Sequence, residues 1–257
     1  MSTVGEIAAA IAEKTRPDQT PDWDPVGVQL GDVAAEAGRV GVCHEVTEAV
    51  VAAVERSPVD LLVSYHPLLF AKTNRITAGR SPEARAFRLI RSRVSLLITH
   101  TDFDAATGGS ADALASLFRL LKVEPFGGDP ETGLPDIGRV GHFEGTLAVL
   151  DAIASDAFGH YGLRISGNRH DDIDRVAVIP GSGGGFVAAA AEVADALVTG
   201  DVSHHEGVHA ADLGLAIVDP GHTATERPGM KALVRMLSSI PEIDVIDLTS
   251  HDPRTWG

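Results

Sequence analysis

The chain has 257 residues, of which 44% are hydrophobic and 22% are charged, and this balance excludes a disordered protein because it supplies enough apolar surface for a core. The formal net charge of −15 excludes broad nucleic-acid binding, which needs a field of lysines and arginines opposite the phosphates. A small anionic substrate stays compatible with that charge, because a metal ion and a few local donors reverse the field inside a pocket.

The single cysteine and the N-terminal segment set expectations about the cellular compartment. Cys43 has no second cysteine with which to form a disulfide or a thiolate zinc cluster, and its place at the end of an apolar run predicts a small buried residue. Residues 1–13 lack the basic stretch and apolar core of a secretory signal. No run approaches the ~20 apolar residues of a membrane span. We therefore expect a soluble, cytoplasmic protein.

The order of the predicted elements along the chain indicates an α/β fold. Thr3 and Glu6 form a capping-box signature for a first helix that ends before Pro17. From residue 39 onward, apolar runs alternate with amphipathic segments, which is typical of layered α/β domains with largely parallel strands. The predicted strands are 40–43, 61–64, 95–99, 140–146, 163–166, 176–179, 196–199, 216–218 and 244–246. The predicted helices are 46–54, 83–90, 111–120, 150–158, 185–194, 207–213 and 229–237.

One segment predicts a boundary within the chain. Residues 124–138 are rich in Gly, Pro and Asp, and this composition predicts a linker. We therefore predict two similar, interleaved α/β lobes, each a mixed sheet flanked by helices. The first lobe takes residues 1–124 and 222–257, and the second takes residues 125–221. Pro228 is expected at the first position of the helix over 229–237, where proline is favoured.

Histidines and carboxylates follow several predicted strands at the point where each strand ends. His66 follows strand 61–64, and His222 with Glu226 follows strand 216–218. In open α/β folds, ligands bind beyond the carboxyl ends of the strands. Imidazole and carboxylate are also ligands that suit Zn, Fe, Mn and Co. The pattern predicts a metal site assembled from distant loops, although each motif alone is also compatible with a histidine at a sheet edge.

Three ionisable residues follow strand 95–99 together. In an extended segment His100, Asp102 and Asp104 would share one face, where they would repel one another or require a cation. The alternative is a solvated turn.

Two further motifs leave alternatives open. His205 and His209 are one helical turn apart if a helix begins near residue 203, and they would act as metal ligands, as a general acid/base or as solvated residues of a helix start. The glycines of 180–185 lie between a strand and a helix and indicate either an anion site or a tight turn. Their spacing matches neither a Walker loop nor a dinucleotide fingerprint.

Five motifs occur in order between residues 4 and 246. They are Trp23-Asp24-Pro25-Val26-Gly27-Val28-Gln29, Tyr65-His66-Pro67, His100 to Asp104 with Gly108-Gly109, Thr199-Gly200-Asp201 with His205, and Gly221-His222 through Glu226. Together they resemble the Nif-three-like dinuclear metal-centre family, whose members carry the name GTP cyclohydrolase I type 2, in its short form without an inserted domain. The resemblance implies two similar α/β lobes, assembled as a homohexamer.

The resemblance also implies a ligand set for one or two divalent ions. His66, Asp104, His222 and Glu226 would bind the metal, and Glu226 would bridge two ions. Many members have a histidine where this chain has Tyr65, and a phenol is a poor ligand at neutral pH because its pKa is about 10. The ion held by His222 and Glu226 therefore lacks one expected nitrogen ligand, and three outcomes stay open: weaker binding, completion of the site by water, or an empty site in the purified protein. At residues 44 and 45 this chain has His-Glu, where the family usually has an aspartate.

Two functional hypotheses follow. The first is a metal-dependent hydrolase acting on a nucleotide or phosphoester, GTP cyclohydrolase-like by resemblance, in which His205 and Glu226 are the catalytic residues and His205 is the general acid/base. Zn, Fe, Mn and Co all suit this site. The second is a non-catalytic metal-binding, regulatory or interaction protein. The absence of a G-x-S-x-G elbow and of a Cys–His pairing in the sequence argues against covalent nucleophilic catalysis.

Overall fold

A computed structural model describes residues 2–160 and 162–251 of the chain. Elements are numbered in chain order. The strands are β1 (Gly27–Leu30), β2 (Arg39–Cys43), β3 (Leu61–Ser64), β4 (Ser95–Ile98), β5 (Leu121–Phe126), β6 (Gly138–Thr146), β7 (Arg164–Ser166), β8 (Asp172–Ser182), β9 (Ala196–Gly200), β10 (Ala216–Asp219) and β11 (Asp244–Asp247). The α-helices are α1 (Val4–Thr15), α2 (Glu48–Arg56), α3 (Pro82–Arg91), α4 (Thr101–Ala105), α5 (Ser110–Leu117), α6 (Leu147–Phe158), α7 (Val187–Ala191), α8 (His204–Asp212) and α9 (His222–Ser238).

The chain has a mixed α/β fold with two mixed sheets flanked by helices, which confirms the predicted fold class. It divides into two compact units. The described residues of 1–103 and 230–255 form the first unit, and those of 104–229 form the second. None of the helices in the described part of the chain combines the length and the apolar composition that a membrane crossing requires.

The sheet of the first unit has the strand order β1-β4-β3-β2-β11. β4, β3, β2 and β11 run parallel, and β1 pairs antiparallel with β4. β3 and β4 consist entirely of buried residues, as expected for parallel strands that are covered on both faces. Cys43 pairs with Ser64, and Ser64 pairs with Ile98, so these three strands end at the same level of the sheet.

The sheet of the second unit has the strand order β5-β6-β8-β9-β10-β7. Its centre, β8-β9-β10, is parallel, whereas β5, β6 and β7 pair antiparallel. Alternate residues of β8 enter two different cores: Val176 and Val178 pack in one, and Ala177 and Ile179 in the other. This alternation follows from the two-residue period of a strand and shows that helices cover both faces of the sheet.

Several local predictions are confirmed. The capping box forms as expected, because the Thr3 hydroxyl accepts from the backbone N–H of Glu6 and the Glu6 carboxylate accepts from that of Thr3. α1 ends at Thr15, before Pro17. Cys43 is fully buried, and burial raises the pKa of its thiol to about 12, so it is not a thiolate nucleophile at neutral pH.

Three local predictions are wrong. Residues 124–138 are not purely a linker, because β5 runs through Phe126 and β6 begins at Gly138. The segment after β4 is the helix α4 and not an extended strand. The last long helix begins at His222 rather than near Pro228, which lies inside it. A proline there lacks one N–H for the helix, but the helix continues on both sides.

Candidate metal centre

Three histidines of the first unit lie just beyond the ends of neighbouring parallel strands. His44 follows β2 directly, His66 comes two residues after β3, and His100 comes two residues after β4. The rings of His44 and His66 have centroids 4.6 Å apart in an edge arrangement. Those of His66 and His100 are 5.3 Å apart. The level ends of the three strands thus gather three imidazoles at one edge of the sheet.

Tyr65 lies among these imidazoles. It is only 1% exposed, and its ring stacks on His44 with a centroid distance of 5.7 Å and an interplanar angle of 16°. It also meets His66 edge-on at 4.9 Å and His100 edge-on at 5.6 Å. Its phenol ring therefore fills the space that a further imidazole would take.

His100 is oriented by a buried carboxylate. Its Nδ1 lies 3.0 Å from Oδ1 of Asp24, whose side chain is 0% exposed. Thr101 donates to Asp24 Oδ2 through both its hydroxyl, at 2.5 Å, and its backbone N–H, at 3.2 Å. Burial raises the pKa of Asp24, but the bonds from His100 and Thr101 outweigh it and lower the pKa overall. The carboxylate stays ionised, and it sets the position of the His100 ring.

In the second unit, His222 is held between two carboxylates. Its Nε2 lies 3.0 Å from Oε1 of Glu226, and its Nδ1 lies 2.7 Å from Oδ2 of Asp201. The hydrogen bond to Glu226 is the largest cause that raises the pKa of His222, to about 9. Glu226 is 2% exposed. A histidine that donates one ring N–H to a carboxylate has a fixed tautomer, and this is the usual arrangement of metal-binding histidines.

The turns that carry Asp201 and His222 are fixed by one buried side chain. Asp219 is 1% exposed and accepts from the backbone N–H of Val202 at 3.1 Å and of Gly221 at 2.8 Å. Asp201 itself has a φ of 57°, a left-handed conformation that non-glycine residues seldom adopt and that the surrounding structure must impose. The Asp201–His222 pair is therefore built into the fold of the second unit.

The glycine-rich segment 180–185, at the end of β8, lies against these residues rather than forming an anion site. Gly181 has a φ of 70°, and a Cβ there would lie 2.8 Å from Oε1 of Glu226 and 3.4 Å from Nε2 of His222. A Cβ on Gly184 would lie 2.4 Å from Oε2 of Glu206. A carboxylate beside this backbone opposes phosphate binding. Of the two interpretations of 180–185, the tight turn is the one that the structure favours.

Among the described residues, His44, His66 and Glu226 form a candidate metal-binding group in which each residue offers one ligand atom, an imidazole nitrogen or a carboxylate oxygen. His66 and Glu226 are predicted ligands. His44 is not, although the signal was present: it follows a strand end directly, as His66 and His100 nearly do. The family pattern usually has an aspartate at this position and therefore does not predict an imidazole ligand there.

The other predicted residues take different positions. Asp104 is buried in α4, and His222 contacts Glu226. His205 is exposed in the first turn of α8, beside His204 at a centroid distance of 5.4 Å. Asp102 does not share a face with His100 as an extended segment would require. Its Oδ1 accepts from the backbone N–H of His100 at 2.7 Å, and burial raises its pKa.

Comparisons with known proteins return relatives that align with most of this chain. A GTP cyclohydrolase 1 type 2 homolog from Methanocaldococcus jannaschii is 30% identical over 246 residues, which cover 95% of this chain and 98% of that protein. One from Lactococcus lactis is 35% identical over 206 residues, 78% of each chain. The solved structure of reduced HcgD from Methanocaldococcus jannaschii has a TM-score of 0.83 at 28% identity, covering 96% of this chain and 97% of that one.

A second solved structure supports the fold alone. The Bacillus cereus protein related to NIF3 has a TM-score of 0.84 at 20% identity, covering 95% of this chain and 96% of that one. The family model for Duf34/NIF3 (NGG1p interacting factor 3) matches residues 2–253. The match thus takes in both units and every residue discussed above as a metal ligand. The chain belongs to the Duf34/NIF3 family.

Proposed function

We propose that this protein is a hydrolase that depends on one or two divalent metal ions, with His44, His66 and Glu226 as central ligands. The observation that carries the proposal is the grouping of two imidazoles and one carboxylate around a common position. Asp104 and His222 are proposed as further ligands. They are respectively buried in α4 and bonded to Glu226, and the resemblance assigns both of them.

The donor set fits a catalytic divalent ion. Two imidazole nitrogens and a carboxylate oxygen form the ligand set of several catalytic zinc sites, and the same set accepts Fe, Mn and Co. A divalent ion bound there supplies Lewis acidity, which lowers the pKa of water toward neutrality. The buried position of His44 and Glu226, at 3% and 2% exposed, strengthens electrostatic interactions because little bulk water screens them.

The chain's own residues supply orientation and proton transfer. Asp201 holds His222 through Nδ1 and so leaves Nε2 facing Glu226. Asp24 holds His100 beside His66 in the same manner. His205 stays the proposed general acid/base, because an exposed imidazole can both accept and donate a proton. The names of the relatives point to a nucleotide such as GTP as substrate, and other phosphoesters fit the same metal chemistry.

The test compares metal binding and turnover in matched variants. Purified protein, either chelated or loaded with Zn²⁺, Mn²⁺, Fe²⁺ or Co²⁺, is assayed against GTP, other nucleotides, cyclic nucleotides and model phosphoesters. Glu226→Gln is expected to weaken metal binding by more than about 100-fold, the upper range seen when only an outer-shell partner is lost, and to abolish turnover. Glu206→Gln removes a carboxylate outside the metal group and should leave both unchanged.

The outcomes separate the two functional hypotheses. Turnover that survives unchanged in Glu226→Gln contradicts the metal-dependent hydrolase. Tight metal binding without turnover on any substrate favours the alternative, a metal-binding or regulatory protein. We also propose that the chain assembles as a homohexamer, because the motifs that identify the family in this sequence imply that assembly.

A further inference from the structure

Two exposed aromatic side chains of the first unit belong to segments that also carry Asp24 and His66. The imidazole cluster is the group formed by His44, His66 and His100. Trp23 is 52% exposed and Phe70 is 57% exposed, and their ring centroids lie 6.2 Å apart at an angle of 55°. We call this pair the aromatic platform. Exposing two adjacent aromatic rings to water is unfavourable, and an exposed apolar cluster of this kind is typical of a binding surface.

The aromatic platform rests on rigid supports. Trp23 precedes Asp24, whose buried carboxylate accepts from Thr101 and contacts His100. Phe70 follows Leu69, whose backbone is held on both sides by the Gln29 amide: Leu69 N–H donates to Oε1 at 2.8 Å, and Nε2 donates to the Leu69 carbonyl at 3.0 Å. Both rings are therefore attached to fixed backbone, which lowers the entropy lost when they bind a ligand.

The supports also connect the aromatic platform to the candidate ligands. His100 bonds to Asp24, and its ring contacts that of His66 at 5.3 Å. Phe70 comes four residues after His66 in the irregular segment that follows β3. The aromatic platform is thus linked to the imidazole cluster through Asp24 on one side and through the chain from His66 to Phe70 on the other.

A basic segment begins where the aromatic platform ends. Residues 71–82 carry Lys72, Arg75 and Arg80 and no carboxylate, in a chain whose net charge is −15. All three cationic side chains are exposed. Positive charge next to exposed aromatic rings complements a molecule that has a flat heterocycle at one end and phosphates at the other. The carboxylate of Glu83, just after this segment, accepts from the Thr73 hydroxyl at 3.4 Å, and the three cations of the segment outnumber it.

We propose that the aromatic platform stacks the base of a nucleoside polyphosphate and that Lys72, Arg75 and Arg80 bind its phosphates. This assignment rests on the proposed function, because it names the substrate class of the same metal centre. A base stacked on an aromatic side chain gains affinity without sequence-specific contacts. The basic segment adds charge-dependent affinity, which salt weakens.

The experiment measures binding separately from metal chemistry. The chain has two tryptophans, so Trp256→Phe leaves Trp23 as the only one, and its fluorescence reports on the platform. Chelated protein is titrated with GTP, guanosine and inorganic tripolyphosphate. We expect GTP and guanosine to quench Trp23, and tripolyphosphate to bind without quenching. Because the protein is metal-free, failure of the hydrolase proposal does not affect this result.

Two variants test separately the binding of the base and the binding of the phosphates. Phe70→Leu should weaken the binding of GTP and guanosine by about 10-fold, because the base loses an aromatic stacking partner, and should leave the binding of tripolyphosphate unaffected. The triple change Lys72→Gln, Arg75→Gln and Arg80→Gln should weaken the binding of GTP and of tripolyphosphate to the same degree. It should leave the binding of guanosine unchanged. Ile90→Ala and Arg56→Gln alter an exposed apolar and an exposed cationic residue of the same unit and serve as controls.

Three results would overturn the inference. The first is equal affinity for GTP and tripolyphosphate without any change in Trp23 fluorescence. The second is loss of GTP binding in the control variants as well as in Phe70→Leu. The third is Trp23 emission that changes with protein concentration and not with nucleotide, because a second copy of the chain then covers the aromatic platform.

Discussion

Individual residues decide which ligand atoms the candidate metal centre offers. Tyr65 removes one imidazole expected from the family pattern, whereas His44, directly after β2, adds one that the pattern does not contain. The rings of Tyr65 and His44 stack on each other, so the missing imidazole and the additional imidazole occupy neighbouring positions. A position just beyond a strand end predicts His66 as a metal ligand, and the same reasoning applies to His44. Position alone does not show which histidine lies close enough to other ligands, because the distance between two side chains is set by strand register and side-chain rotamers.

Tyr65 gives the first prediction. Tyr65→His places a fourth imidazole beside His44, His66 and His100, so the number of metal ions bound per chain should rise. The measurement is the metal content of the purified protein by inductively coupled plasma mass spectrometry after dialysis against the same low Zn²⁺ concentration. Tyr65→Phe keeps the packed ring without a nitrogen and should not increase the metal content. Two fully bound ions in the unmodified protein would show that a phenol in place of an imidazole does not weaken metal binding.

The raised pKa of His222 gives the second prediction. This pKa rises from 6.5 to about 9, and the hydrogen bond to Glu226 is the largest cause. In metal-free protein, protonated His222 paired with Glu226 stabilises the folded state. This stabilisation is fully present below a pH of about 6.5, declines between about 6.5 and 9, and is lost above that range. Glu226→Gln removes the partner. The difference in unfolding free energy between the unmodified protein and this variant should shrink as the pH rises.

Urea unfolding in the presence of a chelator, at pH values below, within and above this window, measures that difference. Glu206→Gln is the control. Glu206 caps α8 through Ser203, which holds its pKa below the ordinary value, so its contribution should stay constant over the same pH range. A pH-independent difference for Glu226→Gln would mean that His222 does not carry a proton shared with Glu226.

Secondary-structure elements supply the framework that places these residues. The ends of β2, β3 and β4 are level because the strands are parallel and in register, and sequence periodicity predicts those ends to within one residue. The helix α4 is missed, because its five residues are too few for a helical period. The early start of α9 is missed because Pro228 resembles a first-turn proline, and only tertiary packing shows that the helix begins at His222.

Gly181, near the end of β8, gives the third prediction. Gly181 has a φ of 70°, and an added Cβ would lie 2.8 Å from Oε1 of Glu226. Gly181→Ala should therefore displace the Glu226 carboxylate and weaken Zn²⁺ binding by about 10-fold or more. It should also lower the free energy of unfolding by roughly 1–2 kcal/mol, the cost of a left-handed conformation for a residue with a Cβ.

Isothermal titration calorimetry and urea unfolding provide the two readouts. Gly185→Ala is the matched control, because an added Cβ there meets no atom within 4 Å and the residue belongs to the same glycine-rich segment. It should bind Zn²⁺ with unchanged affinity. If both variants bind Zn²⁺ equally well, the close approach of Gly181 to Glu226 has no role in holding the ligand.

At the scale of the whole molecule, the alternation of apolar runs and amphipathic segments predicts the fold class, because each parallel strand needs helical cover. It does not predict β5. That strand lies at the edge of its sheet, five of its six residues are exposed, and it contains Pro125. An edge strand with proline and without apolar alternation resembles a linker in sequence. The pairing partner β6 is what makes it a strand, and that partner is invisible in local composition.

Net charge gives the final prediction, on assembly. Six copies of a chain of charge −15 carry six times that charge, −90, so repulsion between subunits opposes a hexamer. Salt screens this repulsion: the Debye length falls from about 30 Å at 0.01 M to about 10 Å at 0.1 M ionic strength. We therefore expect the hexamer, six times 26.9 kDa or about 161 kDa, to form more completely as salt concentration rises.

Light scattering coupled to size-exclusion chromatography, at several salt concentrations and a fixed protein concentration, measures the mass directly. An interface held together mainly by ion pairs would respond in the opposite way and lose mass as salt is added. A mass of one chain at every salt concentration would contradict the hexamer itself. Because each chain has 36 acidic residues and only 21 basic ones, an excess of negative charge stays unpaired in the assembly, and screening by salt is what lets such chains approach.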